Sequence, residues 1–169
     1  MESSEPSSNL EIRPVRASDR AAIWAIFESV IRAGDTYALP RDLGEAPAMA
    51  YWLKSGHEVH VAETQGRVVG TYFLRENPAG GGADIANCGY MTAQGSEGRG
   101  VGRAMCMHSM ERARARGFRA MQYNFVASTN DRAVRLWQQC GFEIAGRLPV
   151  AFQHPSLGYV DALVMYRIL

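Results

Sequence analysis

The 169-residue sequence has a single lysine, Lys54, and no block of like charge; 18 basic and 17 acidic residues leave a formal charge of +1. That balance marks neither nucleic acid nor an anionic membrane surface as a partner. Cysteine is scarce. Cys88, Cys106 and Cys140 are odd in number, and their spacing is not that of a metal site, so no metal is expected. A free thiol on an apolar helix face packs as a small hydrophobe, and such usage fits a reducing, cytoplasmic location. No apolar run is long enough to span a bilayer. Met1–Asn9 is rich in Ser, Glu, Pro and Asn and lacks the basic and apolar segments of a signal peptide. It is expected to be a disordered tail. What remains has an ordinary globular balance, 47% hydrophobic and 21% charged. Residues 10–169 are therefore expected to form one domain with a core of its own.

Periodicity orders the chain. Leu10–Arg16 reads as an edge strand, with Pro14 tolerated there. Ser18 is expected to cap a helix over Asp19–Arg32, whose apolar positions are Ala22, Ile23, Ile26, Phe27, Val30 and Ile31. Gly34 ends it. A polar loop, Asp35–Asp42, carries one aromatic, Tyr37, and a short helix follows over Pro47–Lys54. His57–Glu63 and Arg67–Leu74 pair as a hairpin about Thr64-Gln65-Gly66. Asn77–Gly82 reads as a loop, and Asp84–Thr92 as a third strand. After a long helix come a strand (Phe118–Val126), a helix (Asn130–Cys140) and two strands (Phe142–Phe152, Tyr159–Leu169). The order β-α-α-β-β-β-α-β-α-β-β is an α+β layout.

The densest signal is Glu97-Gly98-Arg99-Gly100-Val101-Gly102, feeding a helix that Gly117 stops. Gly102, Met105, Cys106, Ser109, Met110 and Ala113 share one face of that helix. Glycine lets backbone N–H groups approach a ligand, and a helix N-terminus adds unbonded donors and partial positive charge. The combination suits a phosphate or pyrophosphate. It is not a Walker loop, because Arg103 follows Gly102. It is not a Rossmann fingerprint either: the glycines alternate G-x-G-x-G, and no acidic residue stands at the required distance.

A second block, Asn130-Asp131-Arg132-Ala133-Val134-Arg135-Leu136-Trp137-Gln138-Gln139-Cys140-Gly141-Phe142, has the form N-x-x-A-x-x-L-(aromatic)-x-x-x-G-F. In this order and spacing the two blocks resemble the GCN5-related N-acetyltransferase (GNAT) superfamily, over roughly Leu10–Leu169. The resemblance implies the GNAT fold, a mixed, mostly antiparallel central sheet flanked by helices. It implies an acyltransferase moving an acetyl group from acetyl-CoA to the amine of a small molecule in a ternary complex. An Asn-x-Val-x-x-x-Asn arrangement, Asn124 to Asn130, looks like the branch that acetylates amino acids and their ring analogues. Two other readings stay open: a protein N-terminal acetyltransferase, and a non-catalytic acyl-CoA-binding or sensor domain. The fold family also implies a possible homodimer through sheet edges.

Acetyl transfer to an amine needs four things: a held cofactor, a donor for the thioester oxygen, a proton acceptor for the amine, and a departing thiolate. The resemblance assigns the cofactor to Gly98, Arg99, Gly100, Val101, Gly102 and Arg103, with Asn130, Thr92 and Trp137 beside it. Glu97 stands where the family usually has Gln or Arg. The backbone of Tyr90, Met91 and Thr92 is expected to meet the thioester carbonyl, where the strand splays or bulges. Trp137 replaces the tyrosine that serves many members as general acid; an indole N–H donates a hydrogen bond but yields no proton near neutrality. A thiol of pKa about 8.5 leaves without an acid. No carboxylate stands out as base; Asp35, Asp84 and His154 compete with a water relay. Asn87 and Asn124 interrupt apolar strands, and Asn130 is also the natural cap of its helix. Asn87 and Asn124 either bridge strands or, with Tyr37, bind the amine substrate.

Overall fold

The computed structural model describes residues 9–77 and 82–169. The expected tail, but for Asn9, and the middle of the Asn77–Gly82 loop lie outside the described residues. Seven strands form one sheet: β1 (Glu11–Pro14), β2 (Glu58–Thr64), β3 (Arg67–Glu76), β4 (Ile85–Thr92), β5 (Ala120–Ala127), β6 (Glu143–His154) and β7 (Gly158–Ile168). Their spatial order is β1-β2-β3-β4-β5-β7-β6. Every neighbouring pair is antiparallel except β4 with β5. Four helices complete the fold: α1 (Arg20–Ala33), α2 (Glu45–Trp52), α3 (Val101–Ala115) and α4 (Asp131–Gln139).

The sheet separates two cores. On one face Ile23, Phe27 and Ile31 of α1 and Met49 and Trp52 of α2 bury against Val61, Phe73 and Met91. On the other, Met105, Cys106, Met110 and Ala113 of α3 and Trp137 of α4 bury against Tyr72, Leu74, Met121 and Tyr123. The helical spacing of α3 thus faces the sheet, with Ser109 buried among the apolar side chains. Apolar burial of this kind contributes roughly 25 cal/mol per Å².

The helix starts differ from the sequence expectation in two places. Ser18 makes no cap; it lies in a single 3-10 turn, Ala17–Asp19, that leads into α1. Asp19 takes over the role of tying that corner, because its buried carboxylate accepts from Arg13 at 2.8 and 2.9 Å and from the Arg16 N–H at 2.7 Å. The charged partner outcompetes a hydroxyl. Helix α2 begins two residues earlier than expected, at Glu45. Gly34 ends α1 at φ +72°, as its missing Cβ allows. The hairpin turn between β2 and β3 is Gln65-Gly66, with φ +50° and +72°, matching the right-handed twist of the strands.

Candidate active site

The site begins where the sheet comes apart. Strands β4 and β5 are paired in register only at Ile85↔Ala120 and Ala86↔Met121. Beyond Ala86 they diverge. The Ala93 N–H bonds Val69 of β3, and the Arg119 N–H bonds the Asp84 carbonyl. Alternation along the strand then turns the N–H of Met91 toward β3 and those of Tyr90 and Thr92 into the gap. The β3–β4 register runs unbroken from Gly70↔Thr92 to Glu76↔Ala86, so β4 carries no bulge. Divergence alone frees these two donors. The irregularity falls instead in β5, where the pairing with β7 skips Asn124 and Phe125.

The glycine stretch closes the upper end of the gap. Gly98 and Gly100 adopt φ +74° and +78°, a region in which a β-branched residue is strained. Gly100 is the N-cap of α3, and the first intrahelical bond runs from the Ala104 N–H to the Gly100 carbonyl at 2.9 Å. The N–H groups of Val101, Gly102 and Arg103 therefore have no partner within the helix. Gly102 has another reason to lack a side chain: a Cβ there would stand 3.0 Å from Leu136 Cδ2, across the α3–α4 contact. Together these features bound a cleft of about 980 Å³ that runs from the end of α1 past β4 to α4. Arg103, Arg132 and Arg135 give it a basic rim. Such a cradle of free donors, cationic rim and close backbone fits a pyrophosphate.

Asn130 caps α4, accepting from the Ala133 N–H at 3.2 Å, and also lines the cleft. Trp137 is 9% exposed and packs its ring on Tyr90 and Tyr123, with centroids 4.9 and 5.1 Å away. The Tyr90 hydroxyl bonds Ser109 at 2.7 Å and Tyr123 at 2.9 Å. Burial holds both phenols well above their ordinary range, so neither loses a proton near neutrality. Burial likewise pushes the Cys88 thiol up to about 12, which removes it as a nucleophile.

The structure brings Tyr90, Met91, Thr92, Gly98, Gly100, Val101, Gly102, Arg103, Asn130 and Trp137 to this one cleft. Arg99 is in the exposed turn but not on the cleft wall. Tyr37 lies behind the wall: its hydroxyl donates to the Tyr90 carbonyl at 2.9 Å. Asn87 and Asn124 stand outside the cleft. The Asn87 amide donates to the Gln122 carbonyl at 2.8 Å, just past the last β4–β5 pair. The Asn124 amide donates to Asn77 at 2.8 Å and accepts from Gln122 at 2.9 Å. Of the three side chains weighed as base, only Asp35 lines the cleft. Asp84 sits at the foot of β4, and His154 Nδ1 accepts the Ser156 and Leu157 N–H groups in an exposed turn. Arg132 and Arg135 were not singled out in the sequence. Their signal was available, since i and i+3 on α4 place them on the face beside Asn130.

Residues 21–142 match the acetyltransferase (GNAT) family, and the chain belongs to it. That places it among acyl-transferring enzymes. The solved structure of a GCN5-related N-acetyltransferase from Kribbella flavida is 40% identical, covers 95% of this chain and 98% of its own, and superposes with a TM-score of 0.90. The ribosomal-protein-alanine N-acetyltransferase of Brucella melitensis is 26% identical, with 94% and 99% covered and a TM-score of 0.81. The N-acetyltransferase aca1 of Schizosaccharomyces pombe is 29% identical over 98 residues, 57% of this chain and 47% of that protein. The match thus spans about half the length of that relative.

Proposed function

We propose that this protein transfers the acetyl group of acetyl-CoA to the amine of a small molecule, an amino acid or an analogue of one, with both substrates bound. One observation carries the reading. The unbonded N–H groups at the start of α3 and the freed strand N–H groups of β4 open onto the same cleft. The first set suits a pyrophosphate and the second a thioester carbonyl, at two points along one elongated ligand.

Acetyl-CoA supplies an activated acyl thioester. The loop from Gly98 through Arg103 holds the pyrophosphate by its backbone, with Arg99 at the turn and Arg132 and Arg135 adding charge. Asn130 and Trp137 flank the pantetheine arm. The Tyr90 N–H, with Thr92 beside it, points at the thioester oxygen and stabilises the charge that builds there. Met91 N–H is committed to β3, so its contribution is to fix the strand. Tyr37 supports the same segment through the Tyr90 carbonyl. Asp35, or water held by it, accepts the amine proton. No side chain is needed to protonate the thiolate. Asn87 and Asn124 each retain one amide hydrogen for the acceptor.

Titration calorimetry with acetyl-CoA tests the first half; no binding at millimolar concentration refutes it. Release of free thiol over a panel of amines tests the second. Similarity to the Brucella melitensis enzyme favours one rival, an acceptor that is a protein N-terminus. Turnover of peptides without turnover of free amino acids decides for that rival. Binding without turnover of any amine decides for an acyl-CoA sensor.

We place the protein in the cytoplasm; among the described residues no helix is long and apolar enough to cross a membrane. We also propose a homodimer through the outer strand β6, where Ile144, Leu148 and Val150 are 43%, 41% and 63% exposed on an open sheet edge.

A further inference from the structure

Two arginines of α4 stand where helix physics disfavours them. The helix starts at Asp131, so Arg132 falls in its first turn and Arg135 one turn on. A cation near a helix N-terminus faces the positive end of the dipole, and like charges three residues apart are neighbours on one face and repel. Asp131 is the favourable residue at that end; the arginines are not. Both are exposed and both line the cleft. Among the described residues neither forms an ion pair that would offset the repulsion.

Their side chains converge at the cleft mouth. Arg135 Nε donates to the Asp131 carbonyl at 3.3 Å, which draws the guanidinium back toward the first turn of α4, where Arg132 stands. Arg132 reaches toward the glycine loop: a Cβ placed on Gly98 would stand 3.8 Å from its Nη2. The contact between Gly102 of α3 and Leu136 of α4 fixes the two helices against each other, so packing sets the distance between this pair and the loop. Arg103, the third cation of the rim, belongs to another place. With Arg167 it adds to the effect of Cys106 in holding the Cys140 thiol below its usual range, which puts it by the C-terminal end of α4.

Acetyl-CoA presents two separate anionic groups to such a wall. One is the pyrophosphate, and the unbonded N–H groups of Val101, Gly102 and Arg103 suit it. The other is the 3′-phosphate, a monoester with a charge of about −1.5 to −2 at pH 7. It hangs from the ribose that carries the pyrophosphate, one sugar ring away. A pyrophosphate on the α3 start therefore leaves the second group beside the glycine loop, the side from which Arg132 and Arg135 approach.

We propose that Arg132 and Arg135 bind the 3′-phosphate of the cofactor, so that the protein selects acetyl-CoA over its 3′-dephospho form. This inference rests on the acetyl-transfer reading above, and it narrows the charge that the two residues add at the cleft to one phosphate. A guanidinium fork meets two phosphate oxygens at once, and two forks enclose a dianion from two sides. The bound dianion also relieves the repulsion between the arginines and their conflict with the dipole.

Titration calorimetry of the full chain with acetyl-CoA and with acetyl-3′-dephospho-CoA tests the assignment. The wild type is expected to bind acetyl-CoA at least about tenfold more tightly than the dephospho form. Arg132→Gln combined with Arg135→Gln should weaken acetyl-CoA by about ten- to hundredfold and the dephospho form by less than about threefold, which brings the ratio toward one. Arg132→Lys combined with Arg135→Lys keeps the charge and should retain part of the preference. Both positions are exposed, so these substitutions should leave Tm in place, and the wild-type ratio needs no variant at all. Equal wild-type affinity for the two ligands, an equal loss of both in the glutamine pair, or a preference that survives the glutamine pair overturns the assignment while leaving acetyl-CoA binding standing. Binding of neither ligand by the wild type overturns the acetyl-transfer reading and this assignment with it.

Discussion

Helix α3 has a glycine of positive φ at each end, and the pair isolates what the cofactor loop contributes. Gly100 caps its start at φ +78°, and Gly117 follows its end at φ +84°; around both, an added Cβ meets nothing within 4 Å. Valine at either position is therefore opposed by the backbone alone. The left-handed region costs an L-residue about 1–2 kcal/mol, and more when it is β-branched. In a chain of this size each kcal/mol moves Tm by about 2–4 °C, so both Gly100→Val and Gly117→Val should lower Tm by roughly 4–8 °C. Only Gly100→Val should also affect acetyl-CoA. To escape the strain the loop must turn, and turning swings the Val101 and Gly102 N–H groups off the pyrophosphate. A lost hydrogen bond to a charged group is worth about 1.5–3 kcal/mol, or roughly ten- to hundredfold in KM or Kd. Thermal melts and acetyl-CoA titrations on the two variants read both quantities. If Gly100→Val matches Gly117→Val in Tm and binds acetyl-CoA as the wild type does, the loop does not hold the cofactor and the reasoning fails.

Trp137→Phe should retain most of kcat, because the ring packs on Tyr90 and Tyr123 and gives up no proton; a loss beyond about a hundredfold would reveal an acid–base role. Asn87→Ala should cost about 1–3 kcal/mol of stability in denaturant unfolding, since it removes the only side-chain tie to the Gln122 carbonyl among the described residues. If acceptor KM also rises, by five- to a hundredfold, the amide touches substrate as well; unchanged kinetics would confine it to bridging. Burial pushes His60 down to about 4, against about 6.5 in an unfolded chain. Between those values the unfolded chain binds a proton that the folded protein does not. Stability from this residue is full above about pH 6.5 and falls as pH drops toward 4, by up to about 3 kcal/mol. His60→Phe preserves the stack on Tyr72 and should flatten Tm between pH 7 and 4.5; an undiminished fall would assign the effect elsewhere.

The elements that were legible in the sequence are those set by local rules. The α3 face followed from spacing, the Gln65-Gly66 turn from glycine chemistry, and the Asn130 cap from residue type. The mostly antiparallel sheet and the acetyltransferase family followed from the two paired blocks. What was hidden depends on which side chains the fold brings together, which residue type and spacing do not reveal. Ser18 looked like a cap because nothing local reveals that Arg13 and the Arg16 N–H claim Asp19. A splay or bulge was expected at Tyr90–Thr92, and the residue just before them is Gly89. In the fold that glycine is needed because a Cβ would sit 2.5 Å from the Phe73 ring and 3.0 Å from the Tyr37 hydroxyl.

The two-pair contact between β4 and β5 has a mechanical meaning. Strands β1–β4, with α1 and α2, meet β5–β7 through little backbone hydrogen bonding, so the two parts of the sheet are held together mainly by side-chain packing. α3 and α4 pack over that seam, touching at Gly102 and Leu136. A ligand that spans from the α3 start to the β4 gap would add contacts where the backbone supplies few. Binding to the folded state alone adds resistance to unfolding that grows with the logarithm of ligand concentration over Kd, about 2.7 kcal/mol at a hundredfold excess. The enzyme is then most easily opened, and most easily degraded, when its cofactor is scarce.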